Sequence, residues 1–288
     1  MGFKHRYADV NDVTLHYVTE GEGYPIVFLH GFPACWYVWK PQLLHFGNSF
    51  QVIVPDGRGV NLSSKPENVA AYQIDLLAQD VIGLLDSLGI AKIALVGHDW
   101  GGVLAWKIAQ LYSERVDKLV VVNAPLMETL LFALATIPEQ QLASEYISRL
   151  KADTAETTFL ANNCSVLWDV SFAGHMRNGN YDESDRNYYV ESWQIPGVLT
   201  GFLNWYRANV PDLDTIVAAQ YSPDNVSPIM VDSLLVWGEH EKAFTPQVLS
   251  LMPKYVRNLD IIHVQNADHW IALEQPTKFN KLVQDFLG

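Results

Sequence analysis

The sequence has few cysteines and few basic residues, and each shortage excludes a class of protein. Its two cysteines, Cys35 and Cys164, cannot make a disulfide scaffold or a cysteine-rich zinc site, and they fit a reducing, cytoplasmic compartment. Lysine and arginine total 19 against 32 aspartates and glutamates, which gives a net charge of −13 at pH 7. Because a field of this sign repels phosphates, we expect no nucleic-acid partner.

Long hydrophobic runs are also missing. No apolar stretch approaches the ~20 residues of a membrane-spanning helix, and residues 1–10 lack the apolar core of a signal peptide. Hydrophobic residues nevertheless make up 49% of the 288 residues and charged residues only 18%. The chain is therefore too apolar to be disordered and long enough to bury a large core without stabilising cross-links.

Short apolar runs alternate with helical patterns in the first part of the chain and again near its end. Strands are predicted at 13–18, 25–29, 50–54, 93–96, 119–122, 234–237 and 261–264, and helices at 74–88, 101–111, from 247 and at the end of the chain. Gly89 follows the first of these helices as a C-capping glycine would. Runs that are apolar on both faces suit parallel strands covered by helices, so the pattern predicts an α/β domain.

The middle of the chain has a different pattern. Residues 127–221 contain helix-like segments, among them 139–150 and 153–162, many aromatic residues and no convincing strand. This predicts a helical insertion that divides the α/β core into residues 1–126 and 222–288. The aromatic residues indicate either a small core within the insertion or an apolar lid over a site.

The segment 97–102, GHDWGG, lies between a predicted strand and a predicted helix. Its spacing is that of a nucleophile elbow, in which small residues allow a tight turn that lifts the central side chain above the sheet edge. The central residue is Asp99, so the expected nucleophile is a carboxylate, already ionised at neutral pH. The alternative is that Asp99 only caps the following helix.

An attacking carboxylate would form an alkyl ester with the substrate, and hydrolysis of that ester requires a base. His269 follows the last predicted strand, where this architecture places its histidine. The acid that orients it should follow the strand at 234–237, where Glu239 and Glu241 are both candidates. The loop after residue 29, HGFP, could supply the Phe32 N–H to an oxyanion hole together with the N–H of Trp100. No ligand spacing predicts a metal site.

These motifs, with the aromatic residues at 36–39 and the segment LNWYR at 203–207, resemble the epoxide hydrolases of the α/β-hydrolase fold. The resemblance runs from about residue 5 to the C-terminus and is close to the hydrolase domain of the soluble epoxide hydrolases. It implies an α/β-hydrolase fold with a mostly parallel eight-stranded sheet, helices on both faces and an inserted helical cap. It also implies hydrolysis of a small apolar epoxide to a vicinal diol without a cofactor, and leaves a homodimer open.

The resemblance also assigns roles to individual residues. Asp99 matches the nucleophile, His269 the base, and Glu241 the acid, although the family usually has Asp at that position. Tyr206 matches one of two cap tyrosines that donate hydrogen bonds to the epoxide oxygen, and Tyr146 is the expected second. The other cap tyrosines considered are Tyr181, Tyr188 and Tyr189, the oxyanion hole falls on Phe32 and Trp100, and expected substrate contacts are His30, Pro33, Trp36 and Trp168.

Two other functions remain as alternatives. A haloalkane dehalogenase uses the same Asp, His and acid, and holds halide with the Trp after the nucleophile and a second donor. Phe32 stands where related dehalogenases often have an Asn, but Trp168 or Trp193 could replace it. A non-catalytic ligand-binding protein on the same fold is the more distant alternative, since a fold does not determine a function.

Overall fold

The predicted apolar runs form the centre of an eight-stranded sheet. The computed structural model describes residues 2–219 and 226–288. Its strands are β1 (Lys4–Val10), β2 (Val13–Glu20), β3 (Tyr24–Leu29), β4 (Phe50–Pro55), β5 (Ile93–His98), β6 (Val116–Val122), β7 (Asp232–Gly238) and β8 (Leu259–Val264). Their order is β1-β2-β4-β3-β5-β6-β7-β8. Only the β1–β2 and β2–β4 pairs are antiparallel, so the expected mostly parallel sheet is confirmed.

Burial explains which strands the sequence predicts well. All six residues of β5 are buried, as are the last four of β3 and of β6. In contrast, β1 is an edge strand with five exposed residues, and its polar sequence carries no apolar run. The strand is paired through a turn at Asn11 and Asp12, both with positive φ, which is the hairpin geometry that these residue types favour.

Helices connect the strands and cover both faces of such a sheet. The α-helices are α1 (Lys40–Phe46), α2 (Ile74–Ser87), α3 (Trp100–Leu111), α4 (Met127–Thr136), α5 (Pro138–Ala143), α6 (Tyr146–Lys151), α7 (Ala155–Ser171), α8 (Ala173–Arg177), α9 (Glu183–Gln194), α10 (Val198–Asn209), α11 (Leu213–Ala218), α12 (Pro246–Leu251), α13 (Ile271–Glu274) and α14 (Pro276–Leu287). Short 3-10 helices lie at Trp36–Trp39, Val69–Tyr72, Ser113–Arg115 and Met252–Lys254. Gly89 follows α2 with φ of 67°, as predicted for a C-capping glycine.

Between β6 and β7 the described chain, residues 127–219, forms α4–α11 and no strand. The expected boundary between residues 221 and 222 lies outside the described residues. The prediction of one helix over 139–150 is wrong, because Ser144 and Glu145 separate α5 from α6. Likewise, α7 extends to Ser171 but is interrupted by non-helical backbone at 161–164.

Several aromatic residues of this insertion pack against one another. Phe172 stacks on Tyr189 with ring centroids 4.6 Å apart, and Trp168 and Trp193 contact the same ring at 5.6 and 6.2 Å. All four side chains are buried. Much of the aromatic content therefore forms a small core, one of the two roles expected from the sequence.

Candidate active site

The site lies at the sheet edge where the parallel strands end, the position at which ligands bind in open α/β sheets. Asp99 directly follows β5 and precedes α3, with backbone angles of φ 54° and ψ −125°. Side-chain-bearing residues rarely adopt positive φ, and such strain is common at functional sites. The turn needs its small neighbours: a Cβ on Gly31 would overlap the Asp99 carboxylate, and one on Gly101 would overlap the Leu29 carbonyl.

Backbone N–H groups hold the Asp99 carboxylate. The Phe32 N–H donates to Oδ1 of Asp99 at 2.7 Å, and the Trp100 N–H also donates to this carboxylate. These are the two N–H groups that the sequence assigns to an oxyanion hole. The arrangement offers two fixed donors to any oxyanion that develops on the same carboxyl carbon.

His269 lies between Asp99 and an acid. Its Nε2 is 3.6 Å from Oδ2 of Asp99, and its Nδ1 is 2.7 Å from Oε2 of Glu241. The Glu241 side chain is 1% exposed, and its other oxygen accepts the Ala243 N–H at 2.6 Å. Glu239, the alternative acid, is exposed and accepts the N–H of Asn266 at 3.2 Å. The structure thus brings Glu241, rather than Glu239, to His269.

The ionised forms of Asp99 and His269 stabilise each other. Burial opposes ionisation of Asp99, but hydrogen bonding to His269 and the positive charge there lower the Asp99 pKa overall. Burial also lowers the pKa of His269, but the charges of Glu241 and Asp99 and hydrogen bonds to both raise it well above its usual value. The resting site therefore favours a carboxylate at Asp99 beside an imidazolium at His269.

Two tyrosines of the insertion share a pocket with Asp99. The pocket is lined by Asp99, Trp100, Val103, Met127, Leu130, Tyr146, Ile147, Tyr206, Val210 and Phe244. Burial is the main reason why the pKa values of Tyr146 and Tyr206 are raised, and the charge of Asp99 adds to both shifts. Both phenols therefore stay protonated at neutral pH and can donate hydrogen bonds toward the Asp99 end of the pocket.

The other three cap tyrosines lie outside this pocket, and their hydroxyl groups have hydrogen-bond partners elsewhere. The hydroxyls of Tyr181 and Tyr189 are 2.8 Å apart, and the Tyr188 hydroxyl accepts the indole N–H of Trp36 at 2.7 Å. Of the five cap tyrosines considered, the structure brings Tyr146 and Tyr206 to Asp99.

The four expected substrate contacts have other neighbours in the structure and stay predictions. His30, Pro33, Trp36 and Trp168 all lie outside the Asp99 pocket. His30 accepts the Gly57 N–H through Nε2 at 3.1 Å, and the Pro33 carbonyl accepts the indole N–H of Trp193 at 2.8 Å. Trp36 donates to Tyr188, and Trp168 belongs to the aromatic core of the insertion. Trp36 and the Pro33 carbonyl thus join the α/β core to the insertion, whereas Trp168 packs within the insertion.

The sequence reasoning missed Asn123, which ties three active-site loops together. It is fully buried and follows β6, and its φ is 46°. Its amide donates to the carbonyls of Asp268 and His269 at 2.9 and 3.0 Å and accepts the Gly238 N–H at 2.8 Å. An asparagine directly after a predicted strand was the available signal, since asparagine tolerates positive φ. The apolar pocket walls had no sequence signal.

The chain is similar to known proteins over most of its length. The family described as alpha/beta hydrolase fold matches residues 24–276. Epoxide hydrolase 4 of Homo sapiens is 34% identical over 98% of this chain and 78% of its own length. The chain belongs to the epoxide hydrolase family of α/β hydrolases. This confirms the family and the fold that the sequence motifs indicate.

Two further members of the α/β hydrolases match over nearly the whole chain. The AB hydrolase superfamily protein YfhM of Bacillus subtilis is 33% identical over 99% of this chain and 98% of its own length. A Bacillus megaterium epoxide hydrolase variant, solved with its product (R)-3-naphthyloxy-propane-1,2-diol, is 30% identical with a TM-score of 0.91, covering 98% of this chain and 99% of that one. In the parts of the chain that the structure describes, no helix is long and apolar enough to cross a membrane.

Proposed function

We propose that this member of the epoxide hydrolase family converts an epoxide to a vicinal diol through a covalent ester on Asp99. The observation that carries the proposal is the convergence of four groups on one pocket. The Asp99 carboxylate accepts two backbone N–H bonds, faces the His269–Glu241 pair, and shares its pocket with two protonated phenols. No single ordinary structural role explains this combination.

In the first step, Oδ2 of Asp99 attacks an epoxide carbon and the carbon–oxygen bond of the ring breaks. Oδ2 suits this role because Oδ1 is held by the Phe32 N–H. The epoxide oxygen leaves as an alkoxide and takes a proton from Tyr206 or Tyr146. The product is a hydroxyalkyl ester of Asp99, and no base is needed to activate the nucleophile.

In the second step, His269 removes a proton from water, which attacks the ester carbonyl carbon of Asp99. Esterification removes the negative charge of Asp99, one of the causes of the raised His269 pKa, so the imidazolium can pass its proton to the tyrosinate left by the first step. The neutral imidazole that remains is the base. The N–H groups of Phe32 and Trp100 stabilise the tetrahedral oxyanion. Collapse breaks the acyl–oxygen bond, and the departing alkoxide takes the remaining proton of the added water and leaves as the diol. Asp99 is then again a carboxylate, now with one oxygen from water, and His269 is again an imidazolium.

The tyrosines favour an epoxide over a haloalkane. An alkoxide is a strong base and needs a proton as it forms, whereas a halide does not. Trp100, which holds halide in dehalogenases, hydrogen-bonds Tyr206 through its side chain. Trp193, one expected second halide donor, donates to the Pro33 carbonyl, and Trp168 lies outside the pocket.

The pocket walls support a small apolar substrate. Apart from Asp99 and the two tyrosines, the lining side chains are apolar, among them Leu130, Ile147 and Phe244. The only ionised group in the lining set is the proposed nucleophile. A substrate with an apolar group beside the epoxide would bury that group without leaving a charge unpaired.

A direct assay separates the functions. The protein is incubated with an aryl glycidyl ether and, separately, with a bromoalkane, and diol and bromide are measured, with Asp99→Ala as the control. We expect diol formation that the control lacks and no comparable bromide release. Faster bromide release would favour a haloalkane dehalogenase, and no turnover across a panel of epoxides and haloalkanes would favour a binding protein.

A further inference from the structure

A cluster of three side chains next to His269 has no role in the proposed reaction. It contains His175 of α8, Glu274 of α13, and Asp268, which precedes α13. One ligand atom from each lies within 4.8 Å of the other two. The cluster joins a residue of the helical insertion to two residues of the α/β core, one of them adjacent to His269 in sequence.

His175 is the unusual member of this cluster. It is 4% exposed, and its buried Nδ1 has no hydrogen-bond partner among the described residues. A buried polar atom without a hydrogen-bond partner destabilises the fold. A bound ion is one explanation for such an atom in a folded protein. Burial is the main cause that lowers the pKa of His175, which favours the neutral imidazole that binds metals.

Among the described residues, no lysine or arginine forms an ion pair with either carboxyl group. Oε2 of Glu274 accepts the Asp268 N–H at 2.8 Å, and Oδ1 of Asp268 accepts the Trp270 N–H at 3.0 Å. Burial, followed by hydrogen bonding to Asp268, raises the pKa of Glu274 to about 8. Two carboxyl groups this close favour retention of one proton by the pair, and a bound cation would replace that proton.

We propose that His175, Asp268 and Glu274 form a binding site for a divalent cation of the Zn²⁺ type. One imidazole nitrogen and two carboxylate oxygens are a ligand set that zinc accepts, with water completing a tetrahedral site. Binding would displace the proton held by the carboxyl pair, and that proton would pass to solvent. The sequence did not predict this site because its ligands come from distant positions.

The position of the site suggests a structural effect. A cation there would link α8 of the insertion to the segment that carries His269. A hydrogen bond already crosses at this place, from the Asn180 amide to the Leu273 carbonyl at 3.2 Å. The expected effect is a more stable association between the insertion and the α/β core. This proposal does not depend on epoxide hydrolysis.

Calorimetric titration with Zn²⁺ tests the site, using chelator-treated protein in a non-coordinating buffer. We expect one equivalent to bind, with proton release and a higher melting temperature. His175→Leu and Glu274→Gln should each weaken binding at least tenfold, whereas His263→Gln, on the exposed side of β8, should not. If His175→Leu fails to fold, the isosteric Glu274→Gln carries the test. Absence of binding in the wild type, or equal binding by Glu274→Gln, overturns the proposal.

A crystal soaked in Zn²⁺ gives a second test that does not use activity. The account predicts an anomalous peak about 2.0–2.2 Å from one atom of each of the three residues. Asp99→Asn should keep this peak, which separates the site from binding between Asp99 and His269. A peak only at Asp99 and His269, or only on exposed histidines, overturns the proposal.

Discussion

Nδ1 of His269 lies 2.7 Å from Oε2 of Glu241, a buried carboxylate two residues beyond an exposed one. This contact predicts a difference between two otherwise similar variants. Glu241→Gln should slow hydrolysis of the Asp99 ester by about 10²–10⁴, the usual contribution of general acid–base catalysis. The isosteric Glu239→Gln should change this rate little. Stopped-flow measurement of both steps checks the ranking, and the reverse order would assign the acid to Glu239.

His269 itself should be needed only for the second step. In His269→Gln the Asp99 carboxylate keeps its two backbone donors, so alkylation should still proceed. We expect one equivalent of covalent adduct, visible in the mass of the intact protein, and almost no turnover. If the variant forms no adduct, His269 acts before or during alkylation and the proposed division of roles is wrong.

Tyr206 and Tyr146 should both be needed for fast alkylation of Asp99 by an epoxide. Tyr206→Phe and Tyr146→Phe each remove one donor to the developing alkoxide, and loss of such a donor typically costs about 10²–10³ in rate. Single-turnover alkylation rates measure this step directly. Tyr188→Phe is a matched control, because Tyr188 lies outside the pocket and contacts Trp36. Normal alkylation by Tyr206→Phe would contradict the proposed role.

Asn123 should position the site and stabilise the fold. Asn123→Ala removes two hydrogen bonds to the His269 segment and leaves the buried Gly238 N–H unpaired, at a cost of about 1–3 kcal/mol. The matched control is Asn266→Ala, since Asn266 also has positive φ but is exposed. Denaturant unfolding and kcat compare the two. Equal losses of stability and kcat in the two variants would mean that the effect comes from positive φ alone, and would contradict a positioning role for the Asn123 side chain.

His98 should make stability depend on pH. Burial, then the charge of His269, lowers its pKa from 6.5 to about 4. The unfolded chain therefore binds more protons than the folded chain between these values, so the free energy of unfolding should fall as pH falls through this range. The loss in the free energy of unfolding that His98 causes over this range is about 3 kcal/mol. In His98→Asn the free energy of unfolding should fall less between pH 7 and pH 4, as measured by denaturant unfolding. An equal fall in the variant and the wild type would contradict this role of His98.

Local periodicity and position at strand ends are the features that the sequence reveals well. The buried strands and the elbow at Asp99 are of this kind, because apolar runs and small residues around a tight turn are visible locally. The exposed strand β1 is not, since its polar residues show no such run and only Asn11 and Asp12 mark its turn. The break between α5 and α6 also escaped prediction.

The identity of side-chain partners depends on the folded arrangement. Glu239 and Glu241 are equally good candidates by position, and only folding buries one of them against His269. His30 follows a strand end beside the nucleophile, yet it faces Gly57 and Trp205 rather than the pocket. Such choices depend on contacts between segments far apart in the chain, which spacing alone cannot rank.

The most direct test of the covalent mechanism is a single turnover in ¹⁸O-labelled water, with enzyme in excess over an aryl glycidyl ether. Mass spectrometry then locates the label in the diol and in the peptide that contains Asp99. If Asp99 attacks carbon and water attacks the ester carbonyl, Asp99 should gain one heavy oxygen and the first diol should remain unlabelled. A labelled first diol with an unlabelled Asp99 would mean that water attacks the epoxide directly, and would contradict the account.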